Sequence, residues 1–329
     1  MIRRRAGVVA LVVALLLAGV VVWNRYAAWR LTATIHALRR VPASRIAFCR
    51  CVPDSAVRLT RDGLSLAADV YGVGAGPRPP VLLLHGLTPV GNDLPLYRVL
   101  ASRLADAGFL VLALDFAGYG DSDDPYALGT EAALDGVRDV RVALDFIERL
   151  SATSGPVTLL GHSMGAVEAM AVGLADRRVG SVVALGPPRR TAEVLETEEG
   201  RRYHWDRIRR TYDSVYHRLM PTWFTRERFL ALKARRDIER FQVEWAEPGH
   251  VPLLLADGER EPAADREYLR SYAARVGPPA RYVTIHDADH YLNSGRIGSV
   301  MYYDRAAVAA LVTELREWAA ASESPARSR

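Results

Sequence analysis

A serine lies between two glycines in the pentapeptide Gly161-His162-Ser163-Met164-Gly165. Apolar residues typical of a strand run into the first glycine, and a segment with helical spacing follows the serine. A sharp turn from strand to helix would leave the serine hydroxyl exposed, because small residues on both sides let the two elements approach closely. Backbone N–H groups at the start of the helix would face whatever the hydroxyl attacks. The pattern predicts Ser163 as a nucleophile and the Met164 N–H as a donor to a developing oxyanion.

Strands and helices alternate from about residue 55 onward, in an arrangement that would hold such a serine. Continuous apolar runs, such as PPVLLLHG, FLVLALDFAG and PVTLLGH, are typical of parallel strands buried on both faces. Amphipathic helical segments separate these runs, and Asp62-Gly63 predicts a hairpin turn before the first of them. The sequence therefore predicts an α/β fold, with a mostly parallel sheet and helices on both of its faces.

Four motifs follow one another along the chain: LLLHGLTPVG, LDFAGYGDSD, the pentapeptide around Ser163 and IHDADHYLN. In order and spacing they resemble motifs of the α/β-hydrolase fold family, in which the serine turn is the nucleophile elbow. The resemblance covers roughly residues 55–320 apart from one inserted segment. It implies that Leu87, directly after His85-Gly86, supplies a second oxyanion N–H. It also implies that the loop containing Asp115 is chiefly structural.

The base that would activate Ser163 must come from eight histidines. His85 and His162 belong to other motifs, and most of the rest lie in the N-terminal, inserted or hinge segments. His286 lies inside the last predicted core strand, where we expect a packed histidine. His290 follows that strand at its carboxyl end, and the resemblance also implies a catalytic histidine in this loop. We predict His290 as the general base, with His286 as its rival.

The carboxylate that would orient His290 is predicted in the stretch VPLLLADGEREPAAD. The family resemblance implies an acid in a G-x-x-D pattern, and here Glu261 stands three residues after Gly258. Glutamate can hold the imidazole tautomer and stabilise the imidazolium as well as aspartate does. Asp257 is the alternative acid. Two further carboxylates of this stretch also compete for the role: Glu259 and Asp265.

These residues predict a serine hydrolase that cleaves carboxylic esters through an acyl-enzyme on Ser163. His290 would take the serine proton, Leu87 and Met164 would receive the oxyanion, and water would release the acyl group. The chemistry needs neither a metal nor a cofactor. Epoxide hydrolases and dehalogenases of this fold use an aspartate nucleophile, so the serine argues against both. Acyl transfer to an alcohol is the alternative activity, and a non-catalytic binding module is a third reading.

The segment at about 188–249 interrupts the alternation of strands and helices. It has helical propensity, many arginines and no strand pattern, so we predict a helical cap inserted between two core strands. Aromatic side chains of this segment would either wall a channel for a lipid-derived ester or pack the cap onto the core: Tyr203, Trp205, Tyr212, Tyr216, Trp223 and Phe224. The predicted substrate is a small-molecule or lipid ester.

The N-terminal stretch from Ala6 to Trp23 contains no charged residue. As a helix it would span roughly 27 Å, close to the thickness of the hydrocarbon core of a bilayer. We predict a signal anchor at residues 1–23, a basic juxtamembrane stalk at 24–52 and the hydrolase domain at 53–329. A cleaved signal peptide is the alternative, although the apolar run is long for one and a good cleavage site is missing.

Basic charge is concentrated near the N-terminus, where the first 50 residues hold nine arginines and no acid. A basic stalk beside a bilayer indicates attraction to anionic lipid headgroups, and we predict no nucleic-acid partner. The expected location is the cell membrane, with a single span. Arginines flank the span on both sides, and we favour an extracytoplasmic catalytic domain.

The two cysteines, Cys49 and Cys51, form a Cys-x-Cys just before the folded domain. No second pair of ligands with zinc-site spacing accompanies them, so we predict no metal site. A disulfide across a single residue is uncommon. We expect two thiols that pair only if this segment is exported, and we assign them no function.

Overall fold

The computed structural model describes residues 2–74, 76–124, 135–150, 152–189, 195–211, 225–234, 238–247 and 250–322. The chain divides into two compact units, Met1–Ile46 and Ala47–Arg329. Helices and strands are numbered below in chain order within the described residues.

The first unit contains one long helix, α1 (Ile2–Leu38). Its stretch Leu11–Ala28 has a mean hydropathy of 1.8, and none of that stretch is buried. This helix is long and apolar enough to cross a membrane, which suits either an anchor or a signal sequence. It continues well beyond residue 23, so part of the segment predicted as a stalk is helical. The predicted domain boundaries stay a prediction.

The larger sheet of the second unit has eight strands in the order β2-β3-β5-β4-β6-β7-β8-β9. Its strands are β2 (Ser55–Arg61), β3 (Leu64–Tyr71), β4 (Pro80–Leu84), β5 (Leu110–Leu114), β6 (Val157–His162), β7 (Val179–Leu185), β8 (Leu253–Gly258) and β9 (Ala280–Ile285). The pairs β2/β3 and β3/β5 are antiparallel, and every other pair is parallel. The predicted mostly parallel sheet is therefore confirmed.

Helices cover both faces of this sheet. The described helices are α2 (Pro95–Asp106), α3 (Gly136–Glu148), α4 (Met164–Ala175), α5 (Glu198–Thr211), α6 (Arg226–Ala234), α7 (Gln242–Ala246), α8 (Ala263–Val276) and α9 (Arg305–Ser322). One apolar cluster joins the sheet to α3, α4 and α8, and a second joins it to α2 and α9. Leu82 and Leu84 of β4 enter the first cluster, whereas Val81 and Leu83 enter the second. Burial on both faces explains why these strands are continuously apolar.

A second, three-stranded sheet has the order β1-β11-β10, with β1 (Ile46–Cys49), β10 (Gly295–Ile297) and β11 (Val300–Asp304). Sequence reasoning did not predict it, because its short strands come from segments about 250 residues apart and carry no strong periodicity. Strand β1 lies in the segment that the sequence assigned to the stalk.

The disulfide between Cys49 and Cys51 corrects the expectation of two thiols. Cys51 has a φ of 46° and lies two residues after the end of β1. The two Cα atoms are 5.3 Å apart, within the ordinary range for a disulfide.

The described part of the predicted cap is helical and consists chiefly of α5, α6 and α7. Trp205 of α5 lies 5.8 Å from Phe229 of α6, between ring centroids, and both contact the cluster under α2 and α9. Trp205 therefore packs the cap onto the core. Tyr203 is 54% exposed and does not take part in this packing. The remaining four predicted cap aromatics lie outside the described residues: Tyr212, Tyr216, Trp223 and Phe224.

Candidate active site

Ser163 occupies the turn between β6 and α4, with φ 52° and ψ −115°. Such a conformation is uncommon for a residue other than glycine and persists only where the surroundings enforce it. A Cβ on Gly161 would lie 2.2 Å from the Gly165 carbonyl oxygen, and one on Gly165 would lie 2.4 Å from the Leu84 carbonyl oxygen. The Ser163 N–H donates to the Leu185 carbonyl at 2.8 Å. Close backbone packing against β4 and β7 therefore holds the turn.

A cavity of about 450 Å³ opens at the carboxyl ends of the parallel strands. Four of the residues predicted for the site line it: Leu87 after β4, Ser163 after β6, Glu261 after β8 and His290 after β9. Met164, the fifth, is the buried first residue of α4. The structure thus brings the predicted residues to one edge of the sheet, where open α/β sheets bind their ligands.

His290 contacts Glu261, with 2.6 Å between the imidazole Nδ1 and the carboxylate Oε1. The Glu261 side chain is buried, and the His290 side chain is 19% exposed at the cavity. Because a carboxylate only accepts hydrogen bonds, Nδ1 carries the proton and Nε2 of the neutral ring is the acceptor. That tautomer is the one in which a histidine can receive a proton from a serine hydroxyl.

Asp257, the alternative acid, lies at the end of β8 and is fully buried. Its Oδ2 is 3.1 Å from Nη2 of Arg189, and its Oδ1 accepts the Gly258 N–H at 3.0 Å. Burial raises the pKa of Asp257 to about 6, although the Arg189 guanidinium opposes the shift. Arg189 also lies 3.2 Å from Asp265 and 4.0 Å from Glu261. One buried guanidinium therefore compensates the carboxylates behind His290.

His85 holds the loop that precedes Leu87. Its Nε2 accepts the Phe116 N–H at 3.1 Å, so its Nδ1 carries the proton and donates to the Gly86 carbonyl at 2.6 Å. The Gly86 carbonyl and the Leu87 N–H belong to one planar trans peptide and point in opposite directions. The buried imidazole of His85 therefore sets the direction of the Leu87 N–H.

Residues 81–321 match the sequence profile of the alpha/beta hydrolase family. The chain belongs to this family. A 2-hydroxy-6-oxononadienedioate/2-hydroxy-6-oxononatrienedioate hydrolase of Burkholderia vietnamiensis is 30% identical over 131 residues, 40% of this chain and 43% of that protein. The esterase EstD of Thermotoga maritima is 28% identical over 132 residues, 38% of this chain and 31% of that protein. The chain thus spans less than half the length of these curated relatives.

A solved esterase of Pyrococcus furiosus shares the fold, with a TM-score of 0.56 at 18% identity over 81% of this chain and 90% of that one. At this identity the likeness concerns the fold alone.

The loop of this alpha/beta hydrolase that contains Asp115 is joined to a second loop by hydrogen bonds. The Asp115 carboxylate accepts the N–H groups of Asn92 and Asp121, and burial raises its pKa to about 7. A Cβ on Gly91 or on Gly120 would lie within about 2 Å of that carboxylate. The motif therefore packs two loops together, as the resemblance implied.

His286 does not pack inside a strand, and that expectation was wrong. Strand β9 ends at Ile285, and the His286 side chain is 85% exposed and contacts Glu259 at 2.6 Å. It does not line the cavity. Among the described residues, no group of three or more histidine, cysteine, aspartate or glutamate side chains could hold a metal ion.

Two residues at the site had no signal in the sequence. Arg189 lies in a loop without a motif, and Tyr97 is one apolar-face residue of α2 among many. Only the tertiary contacts show that Arg189 lies beside Asp257 and that the Tyr97 hydroxyl contacts Gly86 and His162.

Proposed function

We propose that this alpha/beta hydrolase cleaves carboxylic esters through an acyl-enzyme on Ser163. The contact of 2.6 Å between Nδ1 of His290 and buried Glu261, in the cavity that Ser163 also lines, carries the proposal. An elbow serine, an oriented imidazole and a carboxylate behind it are the parts that acyl transfer requires. The name of one relative, an esterase, agrees with cleavage of carboxylic esters.

In the proposed reaction the Ser163 oxygen attacks the acyl carbon while Nε2 of His290 takes the hydroxyl proton. Glu261 stabilises the imidazolium that forms. The ester C–O bond then breaks, and His290 returns the proton to the leaving alcohol. Water repeats the sequence on the acyl-enzyme, so that a carboxylic acid leaves and the serine is regenerated.

The oxyanion of each tetrahedral intermediate would lie near the backbone of Leu87 and Met164. Met164 begins α4, and the N-terminus of a helix carries partial positive charge. The Leu87 N–H belongs to the peptide that His85 orients. Donors fixed before the reaction stabilise the transition state without reorganisation, and a single one is worth about 10²–10³ in turnover.

The substrate we propose is a small-molecule ester, including a lipid-derived one. A cavity of about 450 Å³ lies within the usual range for small-molecule sites. The cap contributes both apolar and polar lining, chiefly Tyr203, Ile208, Phe229 and Lys233. Activity on p-nitrophenyl esters of increasing chain length would show whether the cavity favours short acyl groups or fatty ones.

We also propose that α1 is a membrane anchor and that the catalytic unit is extracytoplasmic. Disulfides form and persist outside the cytosol, and Cys49 is joined to Cys51. A reporter enzyme fused to the C-terminus would test the orientation, because activity of a reporter that works only in the cytosol would contradict it.

Labelling with a fluorescent fluorophosphonate tests the proposed function on the full chain in detergent. Wild type should be labelled and should hydrolyse p-nitrophenyl esters, whereas Ser163→Ala should do neither. Ser271→Ala is the control, since Ser271 lies on α8 away from the cavity and alanine suits a helix. Unlabelled wild type, or a labelled Ser163→Ala variant, would overturn the proposal.

Acyl transfer is the alternative that the same residues permit. Adding an alcohol acceptor separates the two activities. If the amount of ester product exceeds that of free acid at low alcohol concentration, the protein is a transferase. If free acid dominates, it is a hydrolase.

A further inference from the structure

A chain of buried hydrogen bonds crosses the floor of the site. The Gly86 N–H donates to the Tyr97 hydroxyl at 2.6 Å, and that hydroxyl lies 2.8 Å from Nδ1 of His162. Nε2 of His162 lies 2.9 Å from the backbone carbonyl of His290. The chain thus joins the oxyanion loop, the nucleophile elbow and the loop of the proposed base.

The chemistry of these groups determines which atom donates and which accepts in each of these hydrogen bonds. A backbone carbonyl can only accept, so Nε2 of His162 carries a proton and donates to His290. The other nitrogen of the neutral ring, Nδ1, must then accept, so the Tyr97 hydroxyl donates to it. The Tyr97 oxygen is thereby left to accept the Gly86 N–H. No other assignment of donors and acceptors satisfies all three hydrogen bonds.

Burial keeps this arrangement from changing with pH. Removal from water lowers the pKa of His162 well below its ordinary value, and the nearby His290 imidazole lowers it further. The two imidazole centroids are 4.6 Å apart. Burial also raises the pKa of Tyr97 well above its ordinary value. Both groups therefore stay neutral during the proposed proton transfer from Ser163 to His290.

Gly86 lies close to Ser163, Tyr97 and His162. A Cβ placed there would lie 3.0 Å from the Ser163 Cβ, 3.0 Å from the Tyr97 hydroxyl and 3.2 Å from Nδ1 of His162. A small shift of Gly86 would therefore move the peptide that carries the Leu87 N–H relative to the serine.

We propose that Tyr97 and His162 are positioning residues, which keep the Leu87 N–H and the His290 ring aligned on Ser163 through the backbone of Gly86 and of His290. Neither residue lines the cavity. Their effect is on the geometry of the transition state, where a misplacement of about 1 Å can cost about 10²-fold in rate. This inference rests on the proposed function, because it needs Ser163 and His290 as the reacting pair.

Tyr97→Phe tests the inference, with Tyr272→Phe as its matched control. Both tyrosines are fully buried on helices, and the Tyr272 hydroxyl donates to the Ile238 carbonyl at 3.2 Å, away from the cavity. Each variant loses hydroxyl hydrogen bonding, so Tm should fall by about 2–4 °C in both. Only Tyr97→Phe should lower kcat and the rate of fluorophosphonate labelling, by about 10- to 100-fold, with KM changed less than about twofold.

Substitution of His162 provides the second readout. His162→Gln keeps one acceptor and one donor, whereas His162→Leu removes both. Glutamine should therefore retain at least about tenfold more activity than leucine at similar KM. In His162→Leu the added Tyr97→Phe change should cost less than it costs in wild type, because its acceptor is already gone.

The inference fails if Tyr97→Phe keeps kcat within about twofold of wild type, or if Tyr272→Phe loses as much kcat. It fails as well if His162→Leu matches His162→Gln. Labelling of wild type separates these failures from failure of the proposed function. If wild type reacts with the probe while Tyr97→Phe is unchanged, only the positioning role is lost.

Discussion

The turn after β6 and the loop after β8 each deliver a residue to the same cavity, but they do so by different means. In the turn after β6, backbone atoms are so close that no side chain fits at Gly161 or Gly165. At the end of β8 and in the loop after it, two buried carboxylates lie four residues apart, and each contacts a different partner. Glu261 contacts His290, whereas Asp257 contacts Arg189.

The difference concerns what each region tolerates. Ser163 is held by steric exclusion, so even a methyl group at a flanking glycine should disrupt the turn. The acid that orients His290 is determined by which carboxylate contacts the imidazole and by its charge. Substitutions at Glu261 that keep the shape but remove the charge should therefore lower activity most. Variants of the two regions should therefore differ in both activity and stability.

Gly165→Ala should abolish activity and labelling. The added Cβ would lie 2.4 Å from the Leu84 carbonyl oxygen, which is backbone and cannot move aside. We expect a loss of more than about 4 kcal/mol in unfolding free energy, measured by denaturant titration. Gly63→Ala is the control, since Gly63 has a φ of 83° but no atom within 4 Å of the added group. It should cost about 1–3 kcal/mol and leave kcat unchanged. Activity in Gly165→Ala would break the contrast.

Glu261→Gln should lower kcat by about 10⁴-fold without a large change in stability. Glutamine keeps the size of the side chain but loses the charge that stabilises the imidazolium. Asp257→Asn, the isosteric change at the other carboxylate, should lower kcat less than about tenfold. Steady-state kinetics on one p-nitrophenyl ester compares the two. An equal or larger loss in Asp257→Asn would make Asp257 the orienting acid instead.

Arg189→Met should lower kcat by about tenfold at pH 8. Without the guanidinium, the Asp257 and Glu261 carboxylates lose their shared counter-charge, and the pKa of Asp257 should rise further. Adding Asp257→Asn should restore part of the activity, because it removes the repulsion. Arg178→Met is the control, since Arg178 also contacts carboxylates, but at the surface beside Asp176. No recovery in the double variant would contradict this reading.

The smallest predicted effect is on the pH dependence of stability. The pKa of Asp257 is raised to about 6 in the folded protein, so the folded state binds more protons than the unfolded one between about pH 4 and pH 6. Its contribution to stability is therefore present at low pH and is lost as the pH rises through about 6. Buried His162, with its lowered pKa, acts in the opposite direction.

The comparison of wild type with Asp257→Asn isolates this one group. In the variant, the Tm at pH 5 minus the Tm at pH 8 should be smaller than the same difference in wild type. Thermal unfolding followed by circular dichroism at the two pH values gives the numbers. An identical difference in both proteins would refute the assignment.

The sequence was informative where backbone geometry imposes a local pattern. Continuous apolar strands, the glycines around Ser163 and the loop containing Asp115 all follow from contacts that only a few residue types allow. The sheet and the helices on both of its faces were predicted from these patterns. The catalytic roles of Ser163, His290 and Glu261 stay predictions, although the structure brings the three residues to one cavity.

Contacts between distant segments left no such pattern. Tyr97 is 65 residues from His162, and His162 is 128 residues from His290, so nothing in either neighbourhood marks the chain of hydrogen bonds. Arg189 is 68 residues from Asp257 and is equally unmarked. The sheet that contains β1 was missed for the same reason, because β1 lies about 250 residues before β10 and β11 in the sequence.

Trapping of the covalent intermediate tests whether Ser163 is the nucleophile. The full chain is mixed with a p-nitrophenyl ester, quenched in acid within the first turnover and digested with trypsin, and fragment masses locate any added acyl group. We expect one acyl group on Ser163, within the peptide from Leu150 to Arg177. Ester hydrolysis with the acyl group on another residue, or with no covalent intermediate under conditions where p-nitrophenol is released in a burst, would contradict it.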